Sequence, residues 1–449
     1  MKTGTSPHSL TICSIGRPSC VDMSRLSPLK HMRFIASLIA LALPALAQLS
    51  AERKQLNVAS FEKVWTTIRD KHWEKNPGGL DWKAVHDELR PKIDKAETMD
   101  QARAIMRDML GRLKQTHFGI LPADVYNDVD DAAKGEGSTG IDVRVLDGQV
   151  VVTTIDPGSP AEKAGVKSGW AIASVNDRPL APLLERLKKD PTIHELQLTR
   201  VMQARLSGSV GGNLKVAFLD GANQTKTIDL ALATPRGESA KFGNLPAMHV
   251  WFESKKLGNT GYIRFNVFLN LVRVMSSFGD AVASCAKCDG IIIDLRGNPG
   301  GIGGMAMGMA GYLVDTPDQQ LGTMHLRDSK LNFVINPRAG VFTGPVAILV
   351  DGNSASTSEI LAGGLKDLGR ARVFGEKSAA AALPSVIERL PNGDGFQYAM
   401  ANYISKGGKP LEGLGVEPDA EVHLNRAALL AGHDPVVDAA LEWIKKQRK

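Results

Sequence analysis

Cysteine is scarce in this 449-residue chain: there are four, and no two pairs stand at zinc-finger spacing, which argues against a structural zinc site. No apolar run reaches the roughly 20 residues that a membrane-spanning helix needs. No G-x-x-x-x-G-K-[ST] stretch is present, which disfavours a phosphate-binding loop, and no G-x-S-x-G elbow is present either. A surplus of positive charge is also missing from most of the chain. The formal net charge is +6, but residues 1–47 carry Lys2, Arg17, Arg25, Lys30 and Arg33 against Asp22 alone, so +4 lies there and about +2 remains. Nucleic acid is therefore not the expected partner. What remains is 43% apolar and 23% charged residues, an ordinary globular composition long enough for about three domains.

The stretch MRFIASLIALALPALAQ from Met32 places Lys30 and Arg33 before the apolar run Phe34–Leu46 and an Ala45-Leu46-Ala47 site. This pattern predicts a secretory signal peptide within a leader over 1–47, with Met32 as the start, and hence a periplasmic or extracellular protein. No cysteine follows the run to accept a lipid. Cys13 and Cys20 would leave with the leader. Cys285 and Cys288 form a C-A-K-C pair whose plainest reading is two small buried thiols ending a helix, with a local disulfide or a redox pair as alternatives.

Apolar residues at Ala102, Ile105, Met106, Met109, Leu110 and Leu113 have helical spacing, and Thr98 with Gln101 makes a capping box. Similar stripes at 61–73 and 82–93, with Asn-Pro-Gly-Gly at 76–79 between them, predict a helical domain over 55–125. From Gly137 the period changes to two, around an Asp147-Gly148 turn that predicts a hairpin. After about residue 256 short continuous apolar runs, GYIRFNVF, GIIIDLRG and GPVAILVD, alternate with helical stretches, the pattern of an α/β domain with buried strands. Asp434 and Pro435 open a final helix within 431–449.

One stretch raises a chemical question. VDGNSASTSEI at 350–360 turns from a buried strand into a helix, so a hydroxyl there faces the positive helix end. Ser356 with Glu359 also satisfies a capping box, and on its own a cap is the commoner reason for such a pattern. The glycine-rich DLRGNPGGIGG at 294–304 follows another strand and can bring backbone N–H groups close to a substrate carbonyl.

Two resemblances sharpen these readings. Residues 136–232, with PGSPAEKAGVKSGWAIASVN, resemble a PDZ domain of the bacterial protease type. The resemblance implies that Thr139, Gly140 and Ile141 hold a peptide carboxylate while the peptide adds as a strand. In their order, DLRGNPGG, VDGNSASTSEI, LKDLGRARVFGEKS and PLEGLGVEPD resemble the core of the C-terminal processing (tail-specific) serine peptidases and the related tricorn core, over about 55–430. That likeness implies a mixed multi-domain α/β fold with a helical N-terminal bundle, a PDZ β domain and a crotonase-like or ClpP-like α/β core over 245–430. It implies a peptidase acting on polypeptides without cofactor or metal.

Carried over by position, Ser356 is the nucleophile, His117 in KQTHFGILP the base, Thr116 its supporting hydroxyl and Glu412 the orienting carboxylate. The oxyanion donors are Thr357 and either Gly300 or Gly301. The lysine of the Ser/Lys branch falls on Ala381, which argues against that mechanism and leaves Lys366, Asp367 and Lys377 as minor alternatives. His117 and Ser356 lie 239 residues apart in different expected domains, which suggests a triad gated by domain movement. The rival expectation is an inactive peptide- or ligand-binding protein on the same scaffold.

Overall fold

The structure, a computed structural model, describes residues 51–123, 136–189, 195–241 and 247–447. The leader, Met32, Cys13 and Cys20 lie outside the described residues. Residues 51–55 are helical, and from Leu56 onward the described residues form one compact unit. Among the described residues no helix is long and apolar enough to cross a membrane.

The N-terminal helices form where their stripes predict. Asp81 caps the helix Trp82–Asp94, and Thr98 and Gln101 make both halves of the capping box on Met99–Gly111. The ring N–H groups of Trp65 and Trp82 donate to each other's carbonyls at 2.9 and 3.0 Å, tying the helix over 56–71 to the next. The apolar faces do not close on one another alone. Phe61, Leu89 and Met106 share a core with Leu390, Phe396 and Tyr398 from far along the chain. The strand Gly119–Leu121 then pairs antiparallel with Gly395–Ala399, which pairs with Ser385–Arg389. Arg103, in the helix, meets the fully buried Asp394 in the hairpin loop at 2.9 Å. The helical segment is thus a wall of the larger body rather than a free bundle.

The middle segment is an antiparallel sheet in the order Ile141–Leu146, Gln149–Ile155, Ala171–Val175, Asn213–Leu219 and Thr225–Ala231. Asp147 and Gly148 both have positive φ, 49° and 77°, as a two-residue hairpin turn requires. The helix Glu195–Ala204 packs beside the edge strand Ile141–Leu146.

The last segment carries a six-stranded sheet in the order Phe252–Leu257, Thr260–Phe265, Gly290–Asp294, Val346–Val350, Arg372–Gly375 and Ala420–Glu421, parallel after its first pair. Because successive side chains point to opposite faces, Ile291, Ile293, Val346 and Ile348 meet the helices Leu271–Ser284, Gly304–Ala310 and Thr357–Asp367. Ile292, Ala347 and Leu349 face the final helix Pro435–Lys446 instead. Both faces are covered, which is why these strands read as unbroken apolar runs. Asp434 caps the final helix through Val436 N and Val437 N. Cys285 and Cys288 are joined in a disulfide, so the plain reading as free buried thiols is corrected: three residues apart at a helix end, they close the turn into Gly290–Asp294.

Candidate active site

The hydroxyls of 354–358 have separate employments. Ser354 Oγ donates to the Leu295 carbonyl at 2.8 Å, Thr357 Oγ1 to Gly301 O at 2.9 Å and Ser358 Oγ to Asn298 O at 2.9 Å. All three stitch the turn to the loop 295–301. Ser356 stands differently. Its φ of 54° and ψ of −115° lie far from the extended conformation of an ordinary helix N-cap. A β-substituted residue held at positive φ is strained, and such strain persists only where surrounding contacts over-determine it. Those contacts are present: the Ser356 amide donates to Glu359 Oε2 at 2.8 Å and to the Ala381 carbonyl at 2.9 Å.

Glu359 is fully buried and accepts from four donors: Ser356 N, Ala381 N, Ala380 N and Ser378 Oγ. Burial pushes its carboxyl up to about 7, against these bonds, which favour the charged form. The cap partner expected at Glu359 is therefore a hub that joins the Ser356 turn to the loop 378–381. Ala381, in the position of the other branch's lysine, supplies only backbone to this hub. Lys377 pairs with Glu417 at 2.8 Å, Lys366 with Asp419 at 3.2 Å, and Asp367 accepts from Gly407 N.

The glycine turn approaches from the adjacent strand. A Cβ at Gly300 would lie 2.7 Å from Ser356 Cβ and 2.8 Å from Thr357 N, so only glycine fits there, at φ +95°. The Gly300 amide is already engaged by Asn298 Oδ1 at 2.9 Å, while the Asn298 amide group donates to Phe265 O. Of the two glycines considered as donors, this leaves the Gly301 amide beside that of Thr357. Asn298, fully buried, stands in a motif whose glycines carry the visible signal, so nothing in the sequence marks its role.

His117 and Glu412 arrive from opposite ends of the chain. His117 sits two residues before the strand Gly119–Leu121, so pairing with Gly395–Ala399 fixes its place; its φ is +62°. Thr116 Oγ1 lies 2.7 Å from His117 Nδ1 and donates to Glu412 Oε2 at 2.9 Å, and Thr116 N donates to Glu412 Oε1 at 2.7 Å. Ala382 N adds a bond to Glu412 at 3.1 Å. A threonine hydroxyl has one hydrogen; spent on Glu412, it leaves a lone pair to accept Nδ1–H of His117. That leaves the ring's acceptor lone pair on Nε2. Burial raises the Glu412 carboxyl, opposed by these bonds. Burial, and then the nearby guanidinium of Arg200, push the His117 imidazole down to about 4. Gln115, the neighbour of Thr116, bonds His72 Nε2 at 3.0 Å. No hydrogen bond joins His117 to Ser356 among the described residues.

Two contacts from the middle segment reach this region. Arg144, buried, donates to Asp351 Oδ2 at 2.8 Å, and Asp351 Oδ1 accepts from Gly297 N and Asn353 N. Glu195 Oε1 accepts from Asn353 Nδ2 at 3.2 Å. Neither these nor Arg200 had a sequence signal, since each acts only through long-range placement. In the segment expected to hold a peptide end, Thr139 is buried, the Gly140 amide bonds Ser138 Oγ at 3.0 Å, and Ile141 O accepts from Gln203 Nε2 at 2.6 Å.

Residues 259–422 match the family model "Peptidase family S41" and residues 52–111 match "Tricorn protease C1 domain". A probable CtpA-like serine protease of Staphylococcus aureus (strain bovine RF122 / ET3-1) is 25% identical over 347 residues, 75% of this chain and 63% of that protein. The chain thus spans less than two thirds of that relative's length. A chloroplastic C-terminal processing peptidase of Tetradesmus obliquus is 26% identical over 402 residues, 85% of this chain and 80% of that one. In fold, the photosystem II D1 C-terminal processing protease superposes with TM-score 0.56 at 22% identity, covering 84% of this chain and 94% of that chain. Mature CPAF does so with TM-score 0.59 at 12% identity, covering 88% and 99%. Residues 259–422 are thus a serine-type peptidase domain of family S41, in a chain similar along most of its length to C-terminal processing peptidases.

Proposed function

We propose that this protein is an exported serine peptidase that hydrolyses peptide bonds in polypeptides, with Ser356 as nucleophile and His117, Thr116 and Glu412 as the proton-handling chain. The observation that carries the reading is the bond sequence from His117 Nδ1 through Thr116 Oγ1 to Glu412 Oε2, residues 296 apart brought together by nothing their local sequence requires. Ser356 Oγ attacks the carbonyl carbon while its proton passes to His117 Nε2; the proton then goes to the leaving amine as the C–N bond breaks. Water repeats the sequence on the acyl-serine. Glu412 keeps the imidazole in the tautomer that can accept that proton. The developing oxyanion is met by the amides of Thr357 and Gly301, and losing one such donor costs about 3 kcal/mol of transition-state stabilisation.

In this reading the middle segment is a PDZ domain selecting substrate: its edge strand Ile141–Leu146 lies beside the helix Glu195–Ala204, the arrangement that strand addition uses. A peptide carboxylate reaching Thr139, Gly140 and Ile141 has to displace the Ser138 hydroxyl from the Gly140 amide. The lack of a His117–Ser356 bond favours a second reading, a binding protein without turnover, although catalytic hydrogen bonds often tighten only with substrate bound. One experiment separates the two. Wild type is expected to react with a fluorophosphonate probe and to create new termini in exported protein extract, and Ser356→Ala to do neither. Labelling that persists in Ser356→Ala removes Ser356 from its role, and an unreactive, folded wild type sinks the peptidase reading.

A further inference from the structure

On the far flank of the middle segment a cavity of about 530 Å³ is floored by apolar side chains and rimmed by arginines. Val175, Leu180 and Leu214 are buried and form the floor with the half-buried Leu183. Arg178, Arg186 and Arg205 line the same cavity from three different elements: the short strand Arg178–Pro179, the helix Ala181–Lys188 and the turn after the helix Glu195–Ala204. All three are exposed, and none has an ion-pair partner among the described residues. The acidic side chains nearest to them in sequence are engaged elsewhere: Asp177 with Lys215 at 2.9 Å and Glu185 with Lys188 at 4.0 Å. Three guanidinium groups around one small cavity repel each other until an anion is present. Elsewhere the exposed Arg69 is answered by Asp70, and the exposed Arg338 and Arg372 lie over the rings of Tyr312 and Phe374.

We infer that this cavity is a second peptide-binding site, taking an acidic segment in which one or two Asp or Glu side chains flank an apolar residue. The guanidinium fork matches a carboxylate in two-point geometry, and the floor takes the apolar side chain. The size falls in the range of ordinary ligand pockets, about 300–1,000 Å³. A membrane surface fits less well, because surface binding uses protruding apolar anchors beside the basic groups, and none of the exposed large apolar residues lines this cavity. Its place on the segment that the peptidase reading assigns to substrate selection makes it an anchor for acidic stretches of a polypeptide substrate; that role rests on the peptidase reading, whereas binding itself does not.

The test uses full-length Ser356→Ala protein, so that binding is read without cleavage. Fluorescence anisotropy of a labelled peptide of sequence Gly-Asp-Leu-Glu-Gly is compared with its Asn/Gln counterpart, and with vesicles of phosphatidylglycerol and phosphatidylcholine. The acidic peptide is expected to bind at least about tenfold more tightly than the amide one, and to weaken between about 50 and 300 mM salt. Arg186→Gln with Arg205→Gln should abolish the difference, and the Arg→Lys pair should recover only part of it. Equal binding of both peptides, no effect of the double substitution, or binding to vesicles alone overturns the proposal. Fluorophosphonate labelling of the same arginine variants on the Ser356 background reports separately on the peptidase reading.

Discussion

Replacing Thr116 with valine removes one oxygen and nothing else of consequence in volume, which isolates the link between His117 and Glu412. In the folded protein that oxygen makes two bonds, at 2.7 and 2.9 Å, one to the imidazole and one to a carboxylate. Glu412 stays in place, because it still accepts from Thr116 N and Ala382 N. What is lost is the acceptor that holds Nδ1–H, and with it the preference for a free lone pair on Nε2. A hydrogen bond to a charged group contributes about 1.5–3 kcal/mol, so Thr116→Val should lower kcat/KM by about 10- to 150-fold. Thr116→Ser restores the hydroxyl and should return most of the loss. The measurement is initial-rate hydrolysis of a quenched fluorescent peptide, with thermal melts to show that both variants fold. A valine variant within twofold of wild type refutes the relay.

Three further outcomes follow from the geometry. The base form of His117 is the neutral one, and its depressed position near 4 places the acid limb of kcat/KM well below pH 6.5; Arg200→Gln removes a positive neighbour and should move that limb upward, and a limb at 6.5 in both proteins contradicts the assignment. The same depression means that His117 adds stability above pH 6.5 which fades as pH falls toward 4. Gly300→Ala sets a methyl 2.7 Å from Ser356 Cβ at a φ of +95°, so activity should fall at least about a hundredfold while far-ultraviolet circular dichroism stays native. Arg103→Met leaves Asp394 buried and stripped of its cation, which should cost about 3–5 kcal/mol in urea unfolding; a loss under 1 kcal/mol shows the pair to be dispensable.

Local signals read correctly where the physics is local. The Thr98–Gln101 box, the Asp147-Gly148 turn and the Asp434-Pro435 helix start each need only a few neighbouring residues, and each forms where its pattern stands. Strand order in the large sheet was visible only as alternation, because parallel neighbours such as Gly290–Asp294 and Val346–Val350 are joined by more than 50 intervening residues. The candidate site was legible as motifs and not as geometry. Nothing periodic announces that Asn298 consumes the Gly300 amide, that Glu359 ties two loops, or that a three-residue strand after His117 finds its partner near residue 396. The separate helical bundle read from the apolar stripes is the plainest example. Its stripes were real, but they also cover Leu390, Phe396 and Tyr398, a packing no window of sequence contains.

The pairing of Gly119–Leu121 with Gly395–Ala399 also bears on synthesis. A growing chain carries its imidazole early, yet that ring has no fixed seat until the late hairpin exists, and its carboxylate support comes later still, at residue 412. Synthesis thus leaves the ring and its carboxylate unjoined until residue 412 has been made, so a product truncated before that point lacks the relay proposed above.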